Sequence, residues 1–86
     1  MNAYPLTVST PDGDMYKGNA QALYLRGAEG DLAVLYGHIP FVTTVIPGQC
    51  RIVEENGEER SASCDGGILS VAADKVTLLA SAFKWM

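Results

Sequence analysis

Lys75-Val76-Thr77-Leu78-Leu79-Ala80-Ser81-Ala82-Phe83-Lys84-Trp85-Met86 closes the 86-residue chain, and its reading decides the fold. Val76, Leu78 and Ala80 alternate with Lys75, Thr77 and Leu79, the period of two expected of a strand with one face on a core. The aromatic ending that follows, from Ser81 to Met86, leaves no room for a helical appendage. Leu6 and Val8 set against Thr7 and Ser9 repeat the same alternation near the other end. The expectation is one β-domain over residues 1–86.

Working outward, turn signals cut the rest of the chain into short extended pieces. Pro11-Asp12-Gly13, Gly18-Asn19, Gly27 through Gly30, Gly37, Pro47-Gly48, Asn56-Gly57, Asp65-Gly66-Gly67 and Ala73-Asp74 all carry turn chemistry. Strands are expected over 4–10, 14–17, 20–26, 31–35, 41–46, 49–55, 58–64, 67–72 and 75–80. So many strands in so short a chain need two layers, which makes the fold all-β, a sandwich or flattened barrel.

Composition narrows the function. Nearly half the residues are apolar, so the chain folds, and its length holds a single domain that buries about 60–65% of its extended surface. Six Lys/Arg against ten Asp/Glu give a net charge of -4 with no basic cluster, which argues against a nucleic-acid partner. Neither a leader pattern nor a run of about eighteen apolar residues is present, so a cytosolic chain without direct membrane insertion is expected.

Cys50 and Cys64 flank a hairpin turning at Asn56-Gly57. A two-residue type I′ connection would set Cys50 against Ser63 and put Cys64 on the other side of the sheet, whereas a three-residue loop over Asn56-Gly57-Glu58 would set Cys50 against Cys64. The first reading leaves two reduced thiols, and the second would permit a disulfide. No CxxC spacing or third soft ligand supports a metal site.

The stretch Gly27-Ala28-Glu29-Gly30-Asp31-Leu32-Ala33-Val34-Leu35-Tyr36-Gly37-His38-Ile39-Pro40 combines sharp turns with acidic, aromatic and imidazole groups. Its glycines lack the strand-to-helix context of a phosphate cradle, so no nucleotide or other cofactor is expected. His38 has the chemistry of a general base but reads better as a hydrogen-bonded turn histidine. The serines sit in no GxSxG elbow, and Glu29 with Asp31 reads as a solvated edge rather than an acid-base pair. Glu54, Glu55, Glu58 and Glu59 read as a solvated hairpin tip, with Arg26 and Arg51 as cross-strand partners for carboxylates. No catalytic set emerges.

Four blocks in order carry a chain-wide resemblance: Leu6-Thr7-Val8-Ser9-Thr10-Pro11-Asp12-Gly13; Gly27-Ala28-Glu29-Gly30-Asp31-Leu32 with Gly37-His38-Ile39-Pro40; Pro47-Gly48-Gln49-Cys50-Arg51-Ile52; and Gly66-Gly67-Ile68-Leu69-Ser70-Val71 followed by Val76-Thr77-Leu78-Leu79-Ala80. With them the chain resembles the amino-terminal domain of the epsilon subunit of the rotary F-type ATP synthase. The resemblance implies a flattened sandwich of about ten short, mostly antiparallel strands. It also implies a noncatalytic central-stalk role between the gamma subunit and the c ring, with indirect links to alpha and beta. That role supports coupling of ion transport to ATP synthesis at the cytoplasmic face of the cell membrane.

By the same resemblance, Glu29, Gly30 and Asp31 match the acidic loop that meets the c ring. His38, Ile39, Pro40 and Phe41 match a neighbouring loop at the same end. Gly67, Ile68 and Leu69 are the expected gamma contact. Phe83 and Trp85 either close the sandwich or dock onto gamma or a second copy, which makes a homodimer of the isolated domain a further expectation. Family members continue into a helical hairpin that regulates ATP hydrolysis; the ending at Met86 reads as a natural short chain without it. A repurposed binding module and a small β-sandwich enzyme are the alternatives.

Overall fold

The computed structural model describes residues 2–86, which form nine strands and no helix. They are β1 (Tyr4–Thr10), β2 (Gly13–Gly27), β3 (Gly30–Leu35), β4 (Phe41–Val45), β5 (Gly48–Glu54), β6 (Glu59–Cys64), β7 (Gly67–Val71), β8 (Val76–Ala80) and β9 (Phe83–Trp85). Every pairing is antiparallel except that of β1 with β8.

The 15-residue β2 organises the sandwich. Its first half pairs with β1, in the layer that continues through β8 and β7 to β4. Its second half lies between β3 and β5, in the layer that continues through β6 to β9. A register shift between Ala20 and Ala22 marks the passage, with Gln21 as the inserted residue. Such a bulge bends a strand and increases its twist, which lets one strand serve both layers. Gly27 then meets Val45 of β4 and joins the layers at the far end.

Two expected strands, 14–17 and 20–26, are therefore one. Gly18 and Asn19 do not turn but pair with Leu6 and Pro5. A side chain at Gly18 would press on the Tyr16 ring, its Cβ 3.3 Å from the hydroxyl, so the glycine makes room for an aromatic neighbour. The chain also gains β9, which pairs Phe83 with Cys64 and Trp85 with Ala62.

Inward positions follow the expected alternation. Tyr4, Leu6 and Val8 of β1 and Val76, Leu78 and Ala80 of β8 are buried, with Leu23, Ile52 and Leu69 among the largest fully buried side chains. Buried Tyr4 keeps its hydroxyl satisfied by donating to the Val34 carbonyl at 2.7 Å. Burial, followed by Tyr24 and other neighbours, pushes its ionisation far above the usual range.

The β5–β6 hairpin follows neither expected register. Glu54 N–H donates to Glu58 O, leaving Glu55-Asn56-Gly57 as the loop, and Cys50 faces Ala62 while Cys64 faces Gly48. The Asn56 side chain contributes by accepting from Glu58 N–H at 2.9 Å, and Gly57 N–H donates to Glu54 O. A one-residue slip reverses the facing of a whole strand, so both cysteines point into the core as free thiols. Burial, with a smaller contribution from Cys64, pushes the Cys50 thiol from its usual 9.0 up to about 12. Burial also raises Cys64, opposed by a backbone hydrogen bond at Gly66.

The folded protein at about pH 8 is expected to resist iodoacetamide at both thiols and to react at both once denatured, as scored by intact mass. Because Cys50 is raised on folding, its contribution to stability holds below pH 9.0 and is lost as the pH climbs from there through about 12. Rapid alkylation of the native chain would refute this placement.

Candidate docking surfaces

The acidic turn grows from the β2–β3 hairpin, where Gly27 pairs with Gly30 and Ala28-Glu29 form the corner. Gly30 has φ 127°, a conformation that a side chain resists, so the turn depends on glycine there. Glu29 and Asp31 are exposed. Asp31 Oδ1 accepts from Arg26 Nε at 3.2 Å, an exposed pair worth about 0–1 kcal/mol and therefore easily exchanged for another partner. Ala28 N–H donates to Thr44 O, which ties the turn to the end of β4.

Loop 36–40 follows the other end of β3. Six residues at about 3.4 Å each separate it from the acidic turn by nearly the length of the strand. The expectation that Glu29-Gly30-Asp31 and His38-Ile39-Pro40-Phe41 share one end is thus overturned by the direction of β3. The His38 ring lies between two backbone oxygens, with Nδ1 3.0 Å from Leu35 O and Nε2 2.8 Å from Ala72 O. Tyr4 meets it edge-on at 5.2 Å between centroids. It is the hydrogen-bonded turn histidine expected, and it holds the loop to the β7–β8 connection. Ile39 beside it is 80% exposed.

A third surface is the outer face of the layer built from β4, β7, β8 and β1. Its registers set Val42 beside Ser70, Thr77 and Thr7, and Thr44 beside Ile68, Leu79 and Ser9. None of these side chains carries a charge. Val42 is 68% exposed, Leu79 53% and Ile68 45%. Of the residues expected here, only Ile68 contributes a side chain. Leu69 points into the core, and Gly67 is a packing necessity because any Cβ would collide with the Leu79 carbonyl. Val42 and Leu79 were not singled out in the sequence, although their positions opposite inward-facing neighbours carried the signal.

Phe83 and Trp85 sit on the other layer, at the β9 edge. Phe83 is buried and packs edge-on against Trp85. Trp85 is half-buried, with the Arg60 guanidinium 3.8 Å and the Tyr16 ring 6.2 Å from its ring centroid. The structure thus gives Phe83 a closing role in the core and separates both aromatics from Ile68. Arg51 meets Glu59 at 3.4 Å and stacks over Tyr24, completing the cross-strand pairing expected of Arg26 and Arg51. Among the described residues no three metal-ligating side chains converge.

The family model of the ATP synthase Delta/Epsilon chain beta-sandwich domain matches residues 3–86. The chain belongs to that family. It is 34% identical over 80 residues to the ATP synthase epsilon chain of Clostridium kluyveri, covering 93% of this chain and 61% of that protein. The chain therefore spans about three fifths of the relative it matches. A chain of the Euglena gracilis mitochondrial ATP synthase, solved by cryo-EM with OSCP, F1 and the c-ring, superposes with a TM-score of 0.91 at 23% identity. That match covers 99% of this chain and 54% of the other. The Tetrahymena thermophila mitochondrial ATP synthase central stalk and c-ring structure gives a TM-score of 0.78 at 18% identity, covering 93% of this chain and 64% of that one. The last two likenesses establish the shared fold.

Truncating Phe83 to Ala is expected to cost about 3–5 kcal/mol, read from chemical denaturation. Lys84→Ala, on the outward side of the same strand, should stay within about 0.5 kcal/mol. Equal effects of the two would contradict a core role for Phe83.

Proposed function

We propose that this domain is a noncatalytic central-stalk module of a rotary F-type ATP synthase, joining the gamma subunit to the c ring. It supports coupling of ion transport to ATP synthesis as a peripheral component at the cytoplasmic face of the membrane, with alpha and beta reached indirectly. Membership of the family supports the setting. The observation that carries the docking role is the uncharged outer face around Val42, Ile68 and Leu79. Interfaces are depleted of charge at their centres, and an apolar patch rimmed by hydroxyls loses little when it is desolvated against a partner. This face is the proposed gamma contact, with Ile68 near its centre.

The acidic turn is the proposed c-ring contact. Glu29 and Asp31 offer carboxylates to basic loops, and complementary charge orients such an encounter more than it strengthens it. Because loop 36–40 is at the other end of β3, His38, Ile39, Pro40 and Phe41 are reassigned in this proposal from the ring contact to the apolar docking side, next to Val42. No reacting group is needed for either contact.

Calorimetric titration of purified gamma should show Ile68→Glu and Leu79→Glu each weakening binding at least tenfold, about 1.4 kcal/mol, with thermal midpoints little changed. Undiminished affinity in both variants would reject this face. Glu29→Lys should weaken c-ring association without altering gamma affinity, and the weakening should shrink at high salt. A loss that is the same at every salt concentration would argue against the electrostatic contact.

A further inference from the structure

His38 lies between two acceptors. Leu35 O and Ala72 O are both backbone carbonyl oxygens, at 3.0 Å from Nδ1 and 2.8 Å from Nε2. A neutral imidazole has one N–H and one lone pair, so it donates to one of these oxygens and turns its lone pair towards the other. The imidazolium has two N–H groups and donates to both. The second oxygen lies 34 positions away in sequence, beyond β7. The ring therefore fastens loop 36–40 to a different part of the fold.

We propose that His38 is a proton-dependent brace: as imidazolium it ties loop 36–40 to the β7–β8 connection and so holds Tyr36 and Ile39 in place beside the uncharged face. Its presenting role rests on the gamma-docking reading above. Tyr36 and Ile39 are 57% and 80% exposed, and the next strand begins with Phe41 and exposed Val42, so the loop is continuous with that face. Loss of the proton leaves one carbonyl facing a lone pair, and the loop is then held by a single bond.

The groups around the ring come from three elements. From β1, Tyr4 packs edge-on against it, with its hydroxyl committed to Val34 O and its ionisation pushed far up by burial, so it stays neutral. From the β7–β8 connection, Asp74 and Lys75 follow Ala72 with opposite charges, and Ala72 N–H closes that turn on Lys75 O. From its own loop, Tyr36 is exposed. Proton exchange at His38 thus changes the charge of the brace without requiring a buried carboxylate to move.

The test uses the chain itself, with 15N-labelled histidine followed by NMR from about pH 5.5 to 8.5, the range in which histidine ordinarily titrates. At the acid end both ring nitrogens should carry slowly exchanging protons. As the ring loses its charge, amides in loop 36–40 should exchange about fivefold faster relative to the rest of the chain, the equivalent of one net hydrogen bond. His38→Ala should exchange fast at every pH, and His38→Gln, which keeps an amide donor, should fall between. Exchange that is the same in all three chains overturns the brace.

Gamma affinity separates the brace from the docking reading. Wild-type affinity should weaken with rising pH and His38→Ala should bind weakly throughout, while Ile39→Ser weakens binding and leaves the ring protons protected. Protected ring protons in a chain that binds no gamma at any pH would support the brace and overturn the docking reading. Gamma binding that is independent of pH and indifferent to His38→Ala would overturn the presenting role.

Discussion

Strand β2 is paired twice, and the two layers exist as one body because of it. Over its first half it is hydrogen-bonded to β1, and over its second half it is flanked by β3 and β5. A straight strand would have to remain in one sheet. The inserted Gln21 allows the change of layer, and its side chain donates to Glu55 O at 3.0 Å, so the displaced residue is itself anchored to the β5–β6 hairpin. Buried Ala20 and Ala22 flank the inserted residue with small side chains, and fully buried Leu23 follows them into the core. Gly27 and Val45 then complete the circuit. Layer separation, core depth and the positions of both proposed contacts follow from this one strand.

The architecture also separates two kinds of surface. At one end of β3 the chain makes a tight acidic corner that needs a glycine and carries an exchangeable ion pair. At the other end it makes a loop with exposed apolar side chains, fixed by an imidazole. The outer face of β4, β7 and β8 continues the apolar side without a charge. The proposed polar and apolar contacts are thereby kept a strand length apart on a domain whose Cα radius of gyration is 11.4 Å.

Strand existence and facing were legible where a period of two was uninterrupted, as at β1 and β8. They were lost where a residue type carries more than one physical meaning. Glycine at position 18 looked like a turn but is a strand residue that yields space to Tyr16. Asn56-Gly57 marked a hairpin, yet whether the loop takes two residues or three depends on hydrogen bonds that composition does not reveal, and with it the facing of Cys64 changed. The family resemblance located the acidic turn and the Ile68 strand. It did not distinguish Ile68, which faces outward, from Leu69, which faces inward, and it merged two loops that the direction of β3 sets apart. Phe83 and Trp85 were recognised as a cluster, but three residues are too few to display an alternation.

The parallel pairing of β1 with β8 sets Leu6 beside Val76 and Val8 beside Leu78. These neighbours lie 70 positions apart in the chain, and the layer that contains them cannot be zipped together by consecutive hairpins alone. During translation β1 keeps that edge unsatisfied until β8 has left the ribosome, and an unpaired strand edge is adhesive in the meantime. Closing so long a loop also makes folding slow for a domain of this size. Partner subunits or chaperones that shield β1 early would raise the yield of the domain without changing its final stability.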